Sequence, residues 1–213
     1  MPAADFSLYL ITDSHQTDGR PLTEVVRQAL SGGVRCVQMR EKDLSSTELY
    51  RLAVELRTVT REFGAKLIIN DRLDIALAVE ADGVHIGINS LPVAEVRRML
   101  GSKMLIGYSA HEIGEAMLAE AAGADFLTFG PLYFTPSKSA FGEPCGVNKM
   151  TEIAQEMKIP VFALGGISYD NVSEALNTGV AGIAVISALI AADDPRSAAA
   201  SLLKKMEKHV QRS

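Results

Sequence analysis

Short apolar runs alternate with stretches of helical spacing along the whole chain, and the alternation repeats eight times within 213 residues. Strict strand–helix alternation favours a parallel sheet covered by helices. Phe6 to Ile11 is an extended apolar run, and Pro21 to Leu30 has helical periodicity that stops at Gly32-Gly33. Val34 to Met39 starts the next unit, with Ser45 as N-cap of a helix reaching Phe63 and ending at Gly64. Lys66 to Ile69, Gly83 to Ile86 and Met104 to Gly107 read as strands. They precede helices over Leu73 to Val79, Pro92 to Leu100 and Glu112 to Ala122. Asp125 to Phe129, Pro160 to Leu164 and Gly182 to Ile186 complete the strands, with helices up to Met157, near Asp170 to Asn177, and from Pro195 onward. Residues 1–213 thus read as one α/β domain, a single (β/α)₈ TIM barrel. A doubly wound open sheet is the alternative, because alternation alone does not demonstrate closure.

Composition narrows the function classes. Hydrophobic residues make up 47% and charged residues 22%, as in folded globular proteins rather than disordered ones. A net charge of -5 supplies no basic footprint for nucleic acid or an anionic membrane, so any phosphate site must be local. No apolar run approaches the roughly 20 residues needed to span a bilayer. Cys36 and Cys145 lie far apart and no secretory segment precedes Leu8, so a disulfide framework is not expected and the cytoplasm is the expected compartment.

Polar clusters follow the apolar runs: Gln38 to Lys42, Asn70-Asp71-Arg72, Tyr108 to His111, Thr135 to Lys138, Gly165-Gly166 and Ile186-Ser187. A (β/α)₈ barrel gathers its chemistry at the carboxyl ends of its strands, so these clusters define one candidate site. Each has a structural reading too. Arg40 and Lys42 could be solvated charges paired with Glu41 and Asp43. Gln38 could be a satisfied inward polar residue. Asn70-Asp71 and Ser109 could be helix caps. The Gly130 to Gly146 loop is longer than ordinary connections and is a candidate lid. His85 reads as a structural strand-end residue, while His15 and His209 read as exposed.

These motifs bear a family resemblance. Tyr9 to Asp13, Gln38 to Lys42, Asn70-Asp71-Arg72, Gly83 to Gly87, Gly130-Pro131 through Lys138, Ala163 to Ile167 and Val185 to Ala188 follow the order and spacing of thiamin-phosphate synthase and the related thiazole tautomerase. The chain resembles that family over nearly its whole length. The resemblance implies a barrel that joins a hydroxymethylpyrimidine diphosphate to a thiazole phosphate and releases diphosphate with Mg²⁺. Departure of diphosphate develops negative charge, which calls for preorganised cations; Arg40, Lys42 and Lys138 match that role. By the same resemblance Gln38 and Asn70 contact the pyrimidine diphosphate and Ser109 lies near the leaving group. Thr135 and Ser137, in place of the family's Thr-x-Thr, bind the thiazole phosphate, with Gly166 and the backbone of Ile186-Ser187 completing its site.

Asp71 is the implied Mg²⁺ ligand. The family's second metal-binding Asp is replaced here by Ser90, which should weaken the metal site. That departure keeps two alternatives open: a tautomerase using His111 to move protons on a carboxylated thiazole phosphate, and a non-catalytic barrel that binds thiamin precursors. Lys42 and Asp71 are synthase-like features that favour the synthase over the tautomerase. Relatives also suggest a homodimer, so the expected partners are the two small-molecule substrates and a second copy of the chain.

Overall fold

The computed structural model describes residues 4–135 and 143–210. Its strands are β1 (Leu8–Ile11), β2 (Cys36–Met39), β3 (Lys66–Asn70), β4 (Gly83–Ile86), β5 (Leu105–Ala110), β6 (Phe126–Phe129), β7 (Val161–Leu164) and β8 (Gly182–Val185). The helices between and after them are α1 (Leu22–Ser31), α2 (Ser46–Glu62), α3 (Leu73–Ala78), α4 (Val93–Leu100), α5 (Ile113–Ala121), α6 (Gly146–Glu156), α7 (Val172–Asn177), α8 (Ser187–Ile190) and α9 (Pro195–Val210). Every strand pairs in parallel with its sequence neighbours, and β1 also pairs with β8 through Leu8↔Ile183 and Leu10↔Val185. That pairing closes the sheet into a (β/α)₈ barrel and removes the open-sheet alternative.

Local signals explain most element boundaries. At α2, the Ser45 backbone N–H donates to Glu48 Oε2 at 2.9 Å while the Glu48 N–H donates to Ser45 Oγ, a reciprocal capping box. Helix α1 buries Leu22, Val25, Val26, Ala29 and Leu30 against the sheet, then ends near Gly33 at φ 111°. Several elements differ from the sequence reading. Strand β5 runs to Ala110, so Tyr108 and Ser109 are strand residues and not part of a loop. A 3-10 turn over Ser14–Gln16 and the short helix α8 were not legible from periodicity, being too brief to show one.

Two cores result. One lies between the sheet and the helices, and the other fills the barrel around Phe6, Tyr9, Ile11, Cys36, Ile68, Leu105, Phe126, Phe162 and Ala184. Phe6 is not a strand residue as expected; it plugs the lower end of the barrel, stacked on Phe162 at 4.9 Å and edge-on to Phe126. Alternation along each strand then lifts every second side chain towards the mouth. On β2 the inward series Cys36, Gln38, Arg40 passes from apolar floor to cationic rim, and on β5 the series is Leu105, Gly107, Ser109. The opposite end is clamped by half-buried carboxylate contacts. Asp82 accepts from the Leu67 N–H and from Arg57, and Asp125 accepts from the Ile106 N–H and from Arg97.

Candidate active site

The carboxyl ends of the strands open onto two adjoining chambers. A polar one of about 290 Å³ is lined by Gln38, Arg40, Lys42, Asn70, Ser109 and Thr128, among others. A larger one of about 430 Å³ is lined by apolar residues together with Thr135, Gly165, Gly166, Ile186 and Ser187. Gln16, His111, Gly130, Leu164 and Ile186 border both chambers and form the seam between them.

The polar chamber is aimed by buried contacts beneath it. Glu41 accepts from Thr12 Oγ1 at 2.5 Å and from the Ser14 N–H at 2.9 Å, while the Arg40 N–H donates to Thr12 Oγ1 at 2.9 Å. This stitches the β1 and β2 exits together, so Arg40 and Lys42 leave the sheet side by side. Asp43 is engaged by His15 at 2.9 Å on the exposed surface. Glu41 and Asp43 are thus hydrogen-bonded elsewhere, which disfavours the reading of Arg40 and Lys42 as solvated ion pairs with these two carboxylates.

Asn70 and Asp71 do not cap the next helix. Arg72 is the N-cap residue of α3, without a side-chain cap bond. Asp71 sits at φ 57°, a left-handed conformation that aspartate tolerates better than most residues. Its N–H donates to the His85 carbonyl at 3.0 Å, and its carboxylate accepts from Asn70 Nδ2 at 2.9 Å and from Ser90 Oγ. Ser90 Oγ also accepts from the Gly87 N–H at 2.8 Å. Asn70 lines the polar chamber; Asp71 lies on the exposed rim beside it, and Ser90 borders a separate groove with Leu91 and Leu118. Among the described residues no group of three or more His, Cys, Asp or Glu could hold a metal. A lone carboxylate beside a hydroxyl fits Mg²⁺ only when substrate oxygens and waters supply most of its ligands, the usual arrangement for that ion at phosphate sites.

Ser109 is not a helix cap either; α5 has Glu112 at its N-cap. The serine ends the inward series of β5, and its Oγ lies 2.9 Å from His85 Nε2 and 3.2 Å from Thr128 Oγ1. His85 is 2% exposed and lies inside the barrel below the mouth, where burial, followed by the Arg40 charge, lowers its pKa to about 3. His111 Nδ1 donates to the Gly130 carbonyl at 2.6 Å, which fixes the ring at the border of the two chambers. The His111 N–H donates to Glu115 at 2.9 Å, and Glu115 also accepts from Tyr108 Oη, whose pKa is raised by burial and then by that carboxylate. His15 is exposed as expected, whereas His209 is half-buried rather than exposed.

The larger chamber is built chiefly from backbone. Gly165 and Gly166 adopt φ 102° and 66°, and a Cβ on Gly166 would lie 2.8 Å from the Tyr133 side chain and the Phe134 carbonyl. Only glycine fits there without strain. Leu132 and Tyr133 donate to the Leu164 and Gly165 carbonyls, which lays the β6 exit along the β7 exit and brings Thr135 to the chamber. Ser137 and Lys138, and with them the middle of the candidate lid, lie outside the described residues.

A family model described as Thiamine monophosphate synthase matches residues 8–189. The chain belongs to the thiamine monophosphate synthase family. Within that family it is 58% identical over 203 residues to a Geobacter sulfurreducens protein provisionally named a thiamine-phosphate synthase, covering 95% of each chain. It is 45% identical to the thiamine-phosphate synthase of Syntrophomonas wolfei, covering 98% of this chain and 100% of that one. The solved thiamine phosphate pyrophosphorylase of Pyrococcus furiosus superposes with a TM-score of 0.88 at 40% identity, covering 96% of this chain and 97% of that one.

Several residues of this synthase-family site were not singled out in the sequence. Glu41 looked like a surface countercharge, Gln16 lies in the unforeseen 3-10 turn, and Tyr9 and Thr128 sit in strands otherwise read as apolar. Parity was the available signal. Tyr9, His85 and Thr128 each occupy an inward position of their strand, where a polar group has to find a partner.

Proposed function

We propose that the chain is a thiamin-phosphate synthase, a transferase that joins a hydroxymethylpyrimidine diphosphate to a thiazole phosphate and releases diphosphate. The observation that carries this reading is the division of the mouth into two chambers with a shared wall. One is cationic and rich in side-chain donors; the other is apolar and edged by glycine backbone.

The reaction demands that division. Breaking the C–O bond to the leaving diphosphate moves negative charge onto that group, and Arg40 and Lys42 hold preorganised positive charge in the chamber that would receive it. Gln38 and Asn70 offer amides to the pyrimidine, and the Ser109 hydroxyl can donate to the developing charge. The thiazole phosphate would rest in the second chamber against Gly166, Thr135 and the first N–H groups of α8, which have no partner within the helix. From their sequence motif, Ser137 is proposed for the same contacts and Lys138 as a further cation for the leaving diphosphate. His111 stands at the seam, between the two substrates. When Mg²⁺ is bound it further neutralises the diphosphate, and Asp71 would hold it with Ser90 alongside. The tautomerase reading gives no reason for the cationic half of the site, and the relatives above carry synthase or pyrophosphorylase names rather than those of a tautomerase or a binding protein.

The test is formation of thiamin phosphate by the purified protein from the two substrates and Mg²⁺, with a chelator and the Asp71→Ala variant as controls. Metal-dependent product lost in the variant is expected. A folded protein that binds both substrates and forms no product would overturn the reading.

A further inference from the structure

A chain of buried polar groups runs under the floor of the polar chamber and connects two of its residues. Gln38 Nε2 donates to Tyr9 Oη at 2.8 Å, and Tyr9 Oη lies 3.3 Å from His85 Nδ1. On the far side of the ring, His85 Nε2 meets Ser109 Oγ at 2.9 Å and Thr128 Oγ1 at 3.3 Å. The ring occupies space that β5 leaves open at Gly107, where a Cβ would collide with His85 Nδ1 and the Phe126 ring. Tyr9, Gln38, His85 and Thr128 are all buried in this barrel interior. This is a built network, and the proposed reaction does not itself require Tyr9 or His85.

We propose that Tyr9 and His85 form a directed hydrogen-bond chain that fixes Ser109 as a proton donor towards the substrate chamber, making both positioning residues. The proposal rests on the synthase reading of Ser109. Its direction follows from the donors at each end. Gln38 borders the same chamber as Arg40 and Lys42, so its amide is best placed with the carbonyl towards those cations and the Nε2 protons towards Tyr9. The phenol oxygen, having accepted from Gln38, sends its own proton to His85 Nδ1. A neutral imidazole carries one ring proton, which then sits on Nε2 and is donated to Ser109 Oγ. With its oxygen already accepting, Ser109 presents its hydroxyl proton to the chamber or, at rest, to Thr128 Oγ1 at 3.2 Å. The surroundings of the ring keep it in that state: Tyr9 is un-ionised because burial raises its pKa, and burial, followed by the Arg40 charge, disfavours an imidazolium. Reversing the chain would turn the Ser109 proton inward onto the ring and leave only an oxygen lone pair to face a leaving anion.

Long-range proton–nitrogen correlation spectra of the full chain labelled with ¹⁵N-histidine test the direction, with His85 assigned by its loss in His85→Gln. The proposal expects a neutral ring protonated at Nε2; a ring protonated at Nδ1 overturns it. Kinetics test the consequence. Tyr9→Phe should lower kcat about tenfold, the scale of one hydrogen bond to a charged group, with little change in KM for the pyrimidine diphosphate. In a Ser109→Ala background the same change should have no further effect, whereas an equal loss in both backgrounds overturns the proposal. Full activity of Ser109→Ala would instead remove the serine from the reaction, failing the reading beneath the proposal whatever the spectrum shows.

Discussion

The two chambers at the barrel mouth meet at a common wall yet are made of different material. The polar chamber is assembled from side chains at the strand ends, several held by a buried partner: Gln38 on Tyr9, Ser109 on His85, and the Arg40 backbone on Thr12, which in turn donates to Glu41. The larger chamber owes its shape to backbone, to Gly165 and Gly166 at positive φ and to the β6 exit laid along the β7 exit. In the proposed reaction side chains suit the first task because charge has to be concentrated where the leaving group departs. Backbone N–H groups suit the second because a phosphate that only needs holding can be cradled by neutral donors at glycine turns. The contrast teaches that the first chamber is vulnerable to loss of charge and the second to gain of a Cβ.

The largest effect expected from that contrast is on turnover. Arg40→Ala should lower kcat by about 10²–10³-fold, the range for loss of a preorganised donor to developing charge, while thermal melting stays close to wild type. A loss confined to KM would mean that the cation serves ground-state binding alone and would break the assignment of the polar chamber to the chemical step. Next in size, Gly166→Ala should raise KM for thiazole phosphate about tenfold, because a non-glycine left-handed residue costs on the order of 1–3 kcal/mol and its Cβ would press on Tyr133 and Phe134. KM for the pyrimidine diphosphate should not change. Equal effects on both substrates would show that the two chambers deform as one.

The smallest effect concerns acid. His85 is held neutral to about pH 3 by burial and Arg40, whereas it titrates near 6.5 when unfolded. Between those values the unfolded chain binds the extra proton, so stability is fully present above about 6.5 and falls as pH is lowered through that window. The cost is about 1 kcal/mol per pH unit, or roughly 2–4 °C in Tm for a chain of this size. His15 has the opposite sign, since hydrogen bonding to Asp43 raises its pKa; its contribution is present at low pH and lost above it, and full exposure keeps it small. Hydrogen exchange at pH 5 should therefore loosen β4 and β5 before β7 and β8, and a uniform loss of protection would argue against a localised origin.

Much of the architecture could be read from the chain because strand–helix alternation and capping are local properties. Ser45 and Glu48 define the start of α2 within four residues of sequence, and the strand ends place the polar clusters at the mouth. What escaped the reading depended on contacts across the barrel. Ser109 and Asn70-Asp71 fit cap signatures because both types do cap helices, and only the extension of β5 and the neighbouring Gly87 and Ser90 show otherwise. Glu41 reads as a surface charge because its partners, Thr12 and Ser14, lie on the preceding strand's exit, about one repeat away.

The sequence by itself determined the α/β class, the order of the elements and the polar residue types that gather at the strand ends, because these follow from periodicity and spacing along one dimension. Closure of β1 onto β8, the division of the mouth into two chambers and the linking of Tyr9, His85 and Ser109 were decided only by the tertiary structure. They join residues 24 to 76 positions apart in sequence, or opposite ends of the chain. No local pattern encodes such contacts; they arise when a staggered parallel sheet closes and brings inward side chains of successive strands into common layers.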